Sequence, residues 1–279
     1  METLKINIKG IFESIGYLLL IGLCAILSLA AAFGINILIT GNFDFAIKYL
    51  DMPCIALGGL AAFAAFKKSG KVFIPKAVKV SAKFLIAVFF IGFAISGISD
   101  ALTFARLYDP TYIYHTDMTK QIIAMLGAPI AEELISRVLI TSAVRKNRKS
   151  FSLVALLVSS IIFTVMHLSF KPSALIHHMI FALFVGYVYQ TTGSYKACVL
   201  CHMGSNIANT LAMLSYNHIN MTLIYIGLIV MILLVIGAFV LFVKEFGKTD
   251  KHCKLADLWY NANGRSKKGV LVANEDCVM

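Results

Sequence analysis

The chain has 279 residues, of which 59% are apolar and 14% are charged, with a formal net charge of +11 at pH 7. This composition lies far outside the balance of a soluble globular domain and indicates an integral membrane protein. The basic excess is accounted for by membrane topology, so we expect membrane lipid as a partner and no nucleic acid.

Apolar runs long enough to cross a bilayer recur along the chain, since a membrane helix needs about 17 to 25 residues. They predict an all-α polytopic fold with about eight transmembrane helices, at residues 15–39, 51–66, 84–105, 121–144, 151–168, 174–190, 197–214 and 221–243. We expect one membrane-embedded helical domain over residues 1–243, with a motif-bearing core at 121–214. A basic cytoplasmic tail follows at 244–279.

Basic residues are distributed unevenly between the loops that these runs define. With the amino terminus in the cytoplasm, 20 of the 25 Lys and Arg residues fall on the cytoplasmic side, four fall outside, and Arg137 lies within a helix. Cytoplasmic loops of membrane proteins carry such an excess. The sequence therefore predicts that both termini are cytoplasmic.

The fourth run carries charges that lipid would not tolerate. Glu132, Glu133 and Arg137 fall within six positions, and each such side chain costs roughly 2.5 to 3.5 kcal/mol at a bilayer centre. They must therefore face a polar interior. Glu133 and Arg137 are four residues apart and can pair on one helix face, whereas Glu132 is rotated by about 100 degrees from Glu133. This spacing predicts a structural ion pair and one carboxylate that is free for chemistry.

Two later runs place imidazoles inside membrane helices. Phe163 precedes His167 by one turn and would give it an apolar wall, while His202 and Asn206 share a helix face and offer two neutral hydrogen-bond donors to one point. Gly204, between these two, would let another helix approach closely. A glutamate, a histidine and a donor pair are the parts that amide hydrolysis by water needs: a base, a residue that orients the water, and an oxyanion site.

The ordered set Glu-Glu-x-x-x-Arg, Phe-x-x-x-His and His-x-x-x-Asn on three separate helices resembles the CPBP family of intramembrane endopeptidases. This family includes type II CAAX prenyl proteases and bacteriocin-processing or self-immunity proteins, and the resemblance covers residues 121–214. It implies a glutamate-type endopeptidase without a cofactor, acting on a lipidated or leader peptide or a protein substrate. We expect an integral protein of a bacterial cell membrane.

Residue by residue, the resemblance implies a water-activating pair, Glu132 with His167, and an oxyanion pair, His202 with Asn206. Three further residues would support the site, and the spacing already indicates their roles as an ion pair and an aromatic wall: Glu133, Arg137 and Phe163.

Other interpretations stay open on the sequence alone. Glu132, His167 and His202 could supply three zinc ligands and leave a fourth position for water, although no His-Glu-x-x-His helix is present. The charged cluster could instead be structural or an ion-coupling site of a transporter, and membrane histidines often only join helices. The latter reading is the one we assign to His177 and His178. A bacteriocin self-immunity protein or membrane scaffold is the non-enzymatic alternative.

The depth of the predicted site conflicts with the predicted helix limits. His167 lies near the outer end of the fifth run, whereas His202 lies about five residues from the inner end of the seventh. At about 1.5 Å per residue, the two would be too far apart to share a substrate. Either a limit is wrong, or a helix is short, tilted or broken around a water-filled cavity, with residues 170–173 as the connection that dips inward.

Overall fold

A computed structural model describes residues 79–109, 111, 113, 117–144, 152–167 and 171–249, together with separate helical positions between residues 12 and 68. In chain order the elements are α1 (Ala82–Leu107), α2 (Met118–Glu133), a π-helix (Leu134–Ile140), α3 (Thr141–Val144), α4 (Leu153–Met166), α5 (Pro172–Thr192), α6 (Tyr195–Ser215), a 3-10 helix (Tyr216–His218) and α7 (Met221–Thr249). All of these elements are helical, which confirms the all-α prediction.

Four helices in the described ranges are long and apolar enough to cross a bilayer: Ala82–Leu107, Pro172–Thr192, Tyr195–His218 and Met221–Lys248. They confirm an all-α membrane protein. The total of eight helices stays a prediction, because the first two predicted runs lie largely outside the described residues. The loop at 145–149 and most of the predicted tail lie outside them as well, so the orientation of the termini also stays a prediction.

The ends of these helices follow local sequence signals. Ser81, Ser152 and Ser194 precede α1, α4 and α6, and each side chain accepts a hydrogen bond from a backbone N–H in the first turn. Such caps satisfy donors that have no partner within the helix. Helix α5 ends at Gly193, which adopts a left-handed conformation with φ of 64° that glycine tolerates without strain.

The fourth predicted run is continuous over residues 118–144 but is not a regular α-helix. Pro129 lies inside α2 and removes one backbone donor, and a π-helix follows in which all seven residues are buried. A π turn holds more residues than an α turn, so it changes the direction in which the following side chains point. The sequence predicted a regular α-helix over residues 121–144, and the π-helix departs from that prediction.

Helix α6 is held against α1 by close backbone packing. A Cβ atom on Gly204 would clash with the carbonyl oxygen of Phe89, and one on Gly92 would clash with the carbonyl oxygen of Cys201. The predicted close approach at Gly204 is confirmed. Because small residues let two helix backbones meet, the depth and rotation of α6 are set by α1.

Candidate active site

Three helical segments bring the predicted catalytic side chains together. Glu132, at the end of α2, places Oε2 at 3.6 Å from Nε2 of His167 and at 3.9 Å from Nε2 of His202. Both separations exceed an ordinary hydrogen bond. Oε2 of Glu132 is buried without a hydrogen-bond partner among the described residues. A water molecule could bridge Oε2 of Glu132 and Nε2 of His167, since polar atoms at such separations are commonly bridged by water.

Glu133 and Arg137 form an ion pair next to these predicted catalytic side chains. Nε of Arg137 donates to Oε2 of Glu133 at 2.8 Å, and both side chains are fully buried. The other carboxylate oxygen, Oε1, lies 2.9 Å from Nδ1 of His202. The Arg137 guanidinium also lies 5.1 Å from the ring centroid of Phe163, within cation–π distance. The pair therefore orients an imidazole of the site in addition to balancing a charge.

The contact with Glu133 restricts how His202 can act. A carboxylate paired with Arg137 accepts hydrogen bonds and donates none, so Nδ1 of His202 must carry a proton. A neutral His202 would then present a lone pair on Nε2, and only the doubly protonated ring can donate from that atom. The spacing predicted that His202 and Asn206 are both neutral donors. Because Nδ1 of His202 is bonded to Glu133, a neutral His202 has no second N–H to donate to a ligand.

One ring nitrogen of His167 is anchored by its own helix. It follows the last residue of α4, and its Nδ1 lies 2.9 Å from the carbonyl oxygen of Phe163. Since a carbonyl only accepts, Nδ1 carries the proton and a neutral ring directs the lone pair of Nε2 toward Glu132.

The predicted conflict in depth does not occur, because His167 and His202 approach the same carboxylate oxygen. Helix α4 is short, as one of the predicted alternatives required: its 14 residues extend about 21 Å, less than the roughly 30 Å of a bilayer core. Of the connection at 170–173, residue 170 lies outside the described residues, Lys171 precedes α5, and Pro172 begins it, so an inward dip stays a prediction.

Asn206 is placed one turn beyond His202 on α6. Its Nδ2 donates a hydrogen bond to the carbonyl oxygen of Ala124 at 3.1 Å. An amide nitrogen carries two hydrogens, so one remains for a ligand. Asn206 thereby joins α6 to α2 and keeps a neutral donor at the site.

A cleft opens beside these groups, with about 370 Å³ of free space including its mouth. It is formed by α4, α5 and α6 and is lined by Phe163, His167, His177, His178, Phe181, His202, Ser205, Asn206 and Asn209. Most of these side chains are polar, although they lie on apolar helices. Polar groups inside a membrane protein mark places that hold water or a ligand.

The contribution of α5 to this cleft was not predicted from the sequence. The His178 ring stacks on His167 with centroids 4.0 Å apart, and Phe181 meets His202 edge-on at 5.1 Å. Two adjacent imidazoles in an apolar helix, with an aromatic residue one turn later, were the available signal. His177 makes a contact between helices of the predicted kind, with Ser96 of α1, and both histidines also line the cleft of the motif residues.

The side chains proposed as zinc ligands do not form a ready coordination site. In the described part of the chain, no group of three or more His, Cys, Asp or Glu side chains has a geometry that could hold a metal ion. Zinc sites place each ligand atom at about 2.0 to 2.3 Å from the metal. Metal content therefore stays a question for measurement, and so does the expectation of a cofactor-free mechanism.

Comparison with known proteins supports the family resemblance. Residues 116–208 match the family described as Type II CAAX prenyl endopeptidase Rce1-like. The matched segment contains all three motifs, from Glu132 to Asn206. No curated protein and no solved structure matches the chain.

Proposed function

We propose that this chain, whose residues 116–208 match the family described as Type II CAAX prenyl endopeptidase Rce1-like, hydrolyses a peptide bond of a membrane-associated substrate such as a lipidated or leader peptide. The observation that carries the proposal is the approach of Oε2 of Glu132, which has no hydrogen-bond partner among the described residues, to the Nε2 atoms of two imidazoles. The match to this family supports protease activity; the mechanism and the substrate are our proposals.

Glu132 acts as the general base. A water molecule donates one hydrogen to Oε2 of Glu132 and the other to the lone pair of Nε2 of His167. As the water oxygen attacks the carbonyl carbon of the substrate, Glu132 takes its proton and later delivers it to the departing amide nitrogen. A positioned base of this kind contributes typically about 100- to 10,000-fold in rate.

His202 and Asn206 stabilise the oxyanion that this attack creates. Nδ1 of His202 is committed to Glu133, so we propose that His202 is doubly protonated when it donates from Nε2. Two ionised glutamates, Arg137 and a cationic His202 then sum to zero charge, which reduces the cost of burying them. Asn206 supplies its second amide hydrogen to the same oxygen.

Cleavage assays with the purified protein in detergent or liposomes test this proposal. Wild type is mixed with prenylated peptides that end in a CAAX sequence and, separately, with leader peptides, and the products are identified by mass. We expect one class to be cut and Glu132→Gln to leave it intact. Full activity of Glu132→Gln would exclude the glutamate base. No cleavage of either class would favour the non-enzymatic alternative of a self-immunity protein or scaffold.

The metal content of the active protein tests the zinc alternative. We expect activity without stoichiometric metal, and no inhibition when the protein is dialysed against a chelator. One zinc per chain, lost together with activity and restored by added zinc, would instead assign Glu132, His167 and His202 as ligands.

Four of the described helices are long and apolar enough to cross a bilayer, which indicates an integral membrane protein. The kind of membrane, the number of helices and the orientation of the termini are part of the proposal. The family that the chain resembles includes bacteriocin-processing proteins, which favours a bacterial cell membrane as the location of this protein. Eight helices with cytoplasmic termini follow from the distribution of basic residues. Labelling of single cysteines should place both termini and residues 145–149 in the cytoplasm, and an external carboxyl terminus would show that the helix count is wrong.

A further inference from the structure

We infer that His178 is a positioning residue that holds the His167 imidazole in the orientation that faces Glu132, an inference that rests on the proposed function. His178 belongs to none of the three motifs. Its ring stacks on that of His167 with an interplanar angle of 29° and centroids 4.0 Å apart. Both rings line the cleft.

His167 needs a second constraint because its position allows motion. It lies at the carboxyl-terminal end of α4, and its side chain is 26% exposed. The contact of Nδ1 with the Phe163 carbonyl anchors one ring atom, but rotation about that contact would swing Nε2 away from Glu132. Phe163 meets the ring at a tilt of 49°. The face of the His178 ring, which is inclined by only 29° to that of His167, opposes the remaining rotation.

His178 is connected to neighbouring helices through the adjacent residue of α5. His177 meets it edge-on at 5.2 Å, and Nε2 of His177 lies 3.4 Å from the Ser96 hydroxyl of α1. Ser96 in turn hydrogen-bonds to Ser205 of α6. The ring that stacks on His167 is therefore linked to the two helices whose close packing sets the depth of the oxyanion residues.

The contact with His167 is made by the face of the His178 ring. Nδ1 of His178 is buried without a hydrogen-bond partner among the described residues, whereas the ring is stacked. A flat apolar ring of similar shape should therefore replace it. This expectation separates positioning by stacking from a role in proton transfer.

The test compares three substitutions of His178 with a control on the same helix. His178→Ala removes the ring, His178→Leu fills much of its space without a flat face, and His178→Phe keeps the face. Ile180→Ala is the control, because Ile180 is 52% exposed on α5. Each is assayed for Glu132-dependent cleavage, with rates divided by the amount of folded protein. If the Ala variant does not fold, the Leu variant takes its place.

We expect the Ala and Leu variants to lose about 10- to 100-fold in kcat, the range that a misplacement of about 1 Å can cause. KM should change less than about twofold, since uniform binding is untouched. The Phe variant and the Ile180 control should keep nearly the wild-type kcat. Wild-type kcat in the Ala variant, or a Phe variant as slow as Ala, would overturn the inference.

Ring spectra of ¹⁵N-labelled histidines, recorded without substrate, separate failure of this inference from failure of the proposed function. His178→Ala should shift or broaden the His167 ring signals, which are assigned with a His167→Gln variant, and Ile180→Ala should not. Unchanged His167 signals in the Ala variant would overturn the inference. Absence of Glu132-dependent cleavage by wild type would overturn the proposed function instead, and the spectra would still test the stack.

Discussion

The interior around Glu133 and the cleft beside Glu132 differ sharply, although the two residues are adjacent in the chain. Glu133 is fully buried, and its two oxygens contact Arg137 and His202. Glu132 is 15% exposed, and its Oε2 has no hydrogen-bond partner in the described ranges. A carboxylate with both oxygens occupied stabilises its surroundings, whereas one with an unoccupied oxygen can take a proton. A rotation of one residue along a helix separates these roles.

The largest effect is expected from Glu132→Gln, which tests the role of the carboxylate in the cleft. The amide keeps the shape of the side chain but removes its basicity, so cleavage should fall by about 100- to 10,000-fold. Folding should change little, because Glu132 Oε2 makes no hydrogen bond within the described part of the chain. Cleavage rates and the thermal unfolding temperature in detergent measure the two effects. Loss of both together would mean that Glu132 is structural as well.

The next largest effect is expected at the oxyanion pair, His202 and Asn206, which also lines the cleft. His202→Ala and Asn206→Ala should each lower kcat by about 100- to 1000-fold, the typical effect of losing one oxyanion donor. The double variant should fall little further if the two act as a unit. Rates are normalised to folded protein, because each residue also contacts α2. Unchanged normalised rates would remove the oxyanion assignment.

On the buried side, Arg137→Ala should destabilise the protein far more than Glu132→Gln does. Glu133 would stay buried without its cation, and breaking a buried pair costs about 3 to 5 kcal/mol. Reversible unfolding in mixed micelles measures the difference. The double variant Glu133→Gln/Arg137→Met should recover part of the loss, since it removes both charges. Equal stability of Arg137→Ala and Glu132→Gln would show that the pair does not brace the fold.

The packing that carries the oxyanion helix gives a smaller effect. Gly204→Ala would bring Cβ against the Phe89 carbonyl and should cost about 1 to 3 kcal/mol, as overpacking usually does. Gly227→Ala in α7 is the matched control, because a Cβ there meets no atom of the described residues within 4 Å. The same unfolding measurement compares the two. Equal stability would mean that α6 can move away from α1 without loss.

Much of the motif geometry within each helix could be predicted from the sequence. The spacing of four residues predicted the contact of Glu133 with Arg137, and the proximity of Phe163 to His167 followed in the same way. Contacts of this kind depend on the local helical repeat, because side chains four residues apart lie near one face of a helix, and the contact of Glu133 with Arg137 is kept although Arg137 lies in the π-helix. The ordered motifs also indicated the family that the match over residues 116–208 supports.

Contacts between helices were decided only by tertiary structure. The length of α4, the π turn after Glu133, the bond from His202 to Glu133 and the stack of His178 on His167 all depend on how the helices are packed. Helical spacing predicts which residues share a face, but neither the depth of one helix against another nor the tautomer that a partner imposes. Those follow from close packing, at Gly92 and Gly204 above all, where the absence of two side chains sets the distance between backbones.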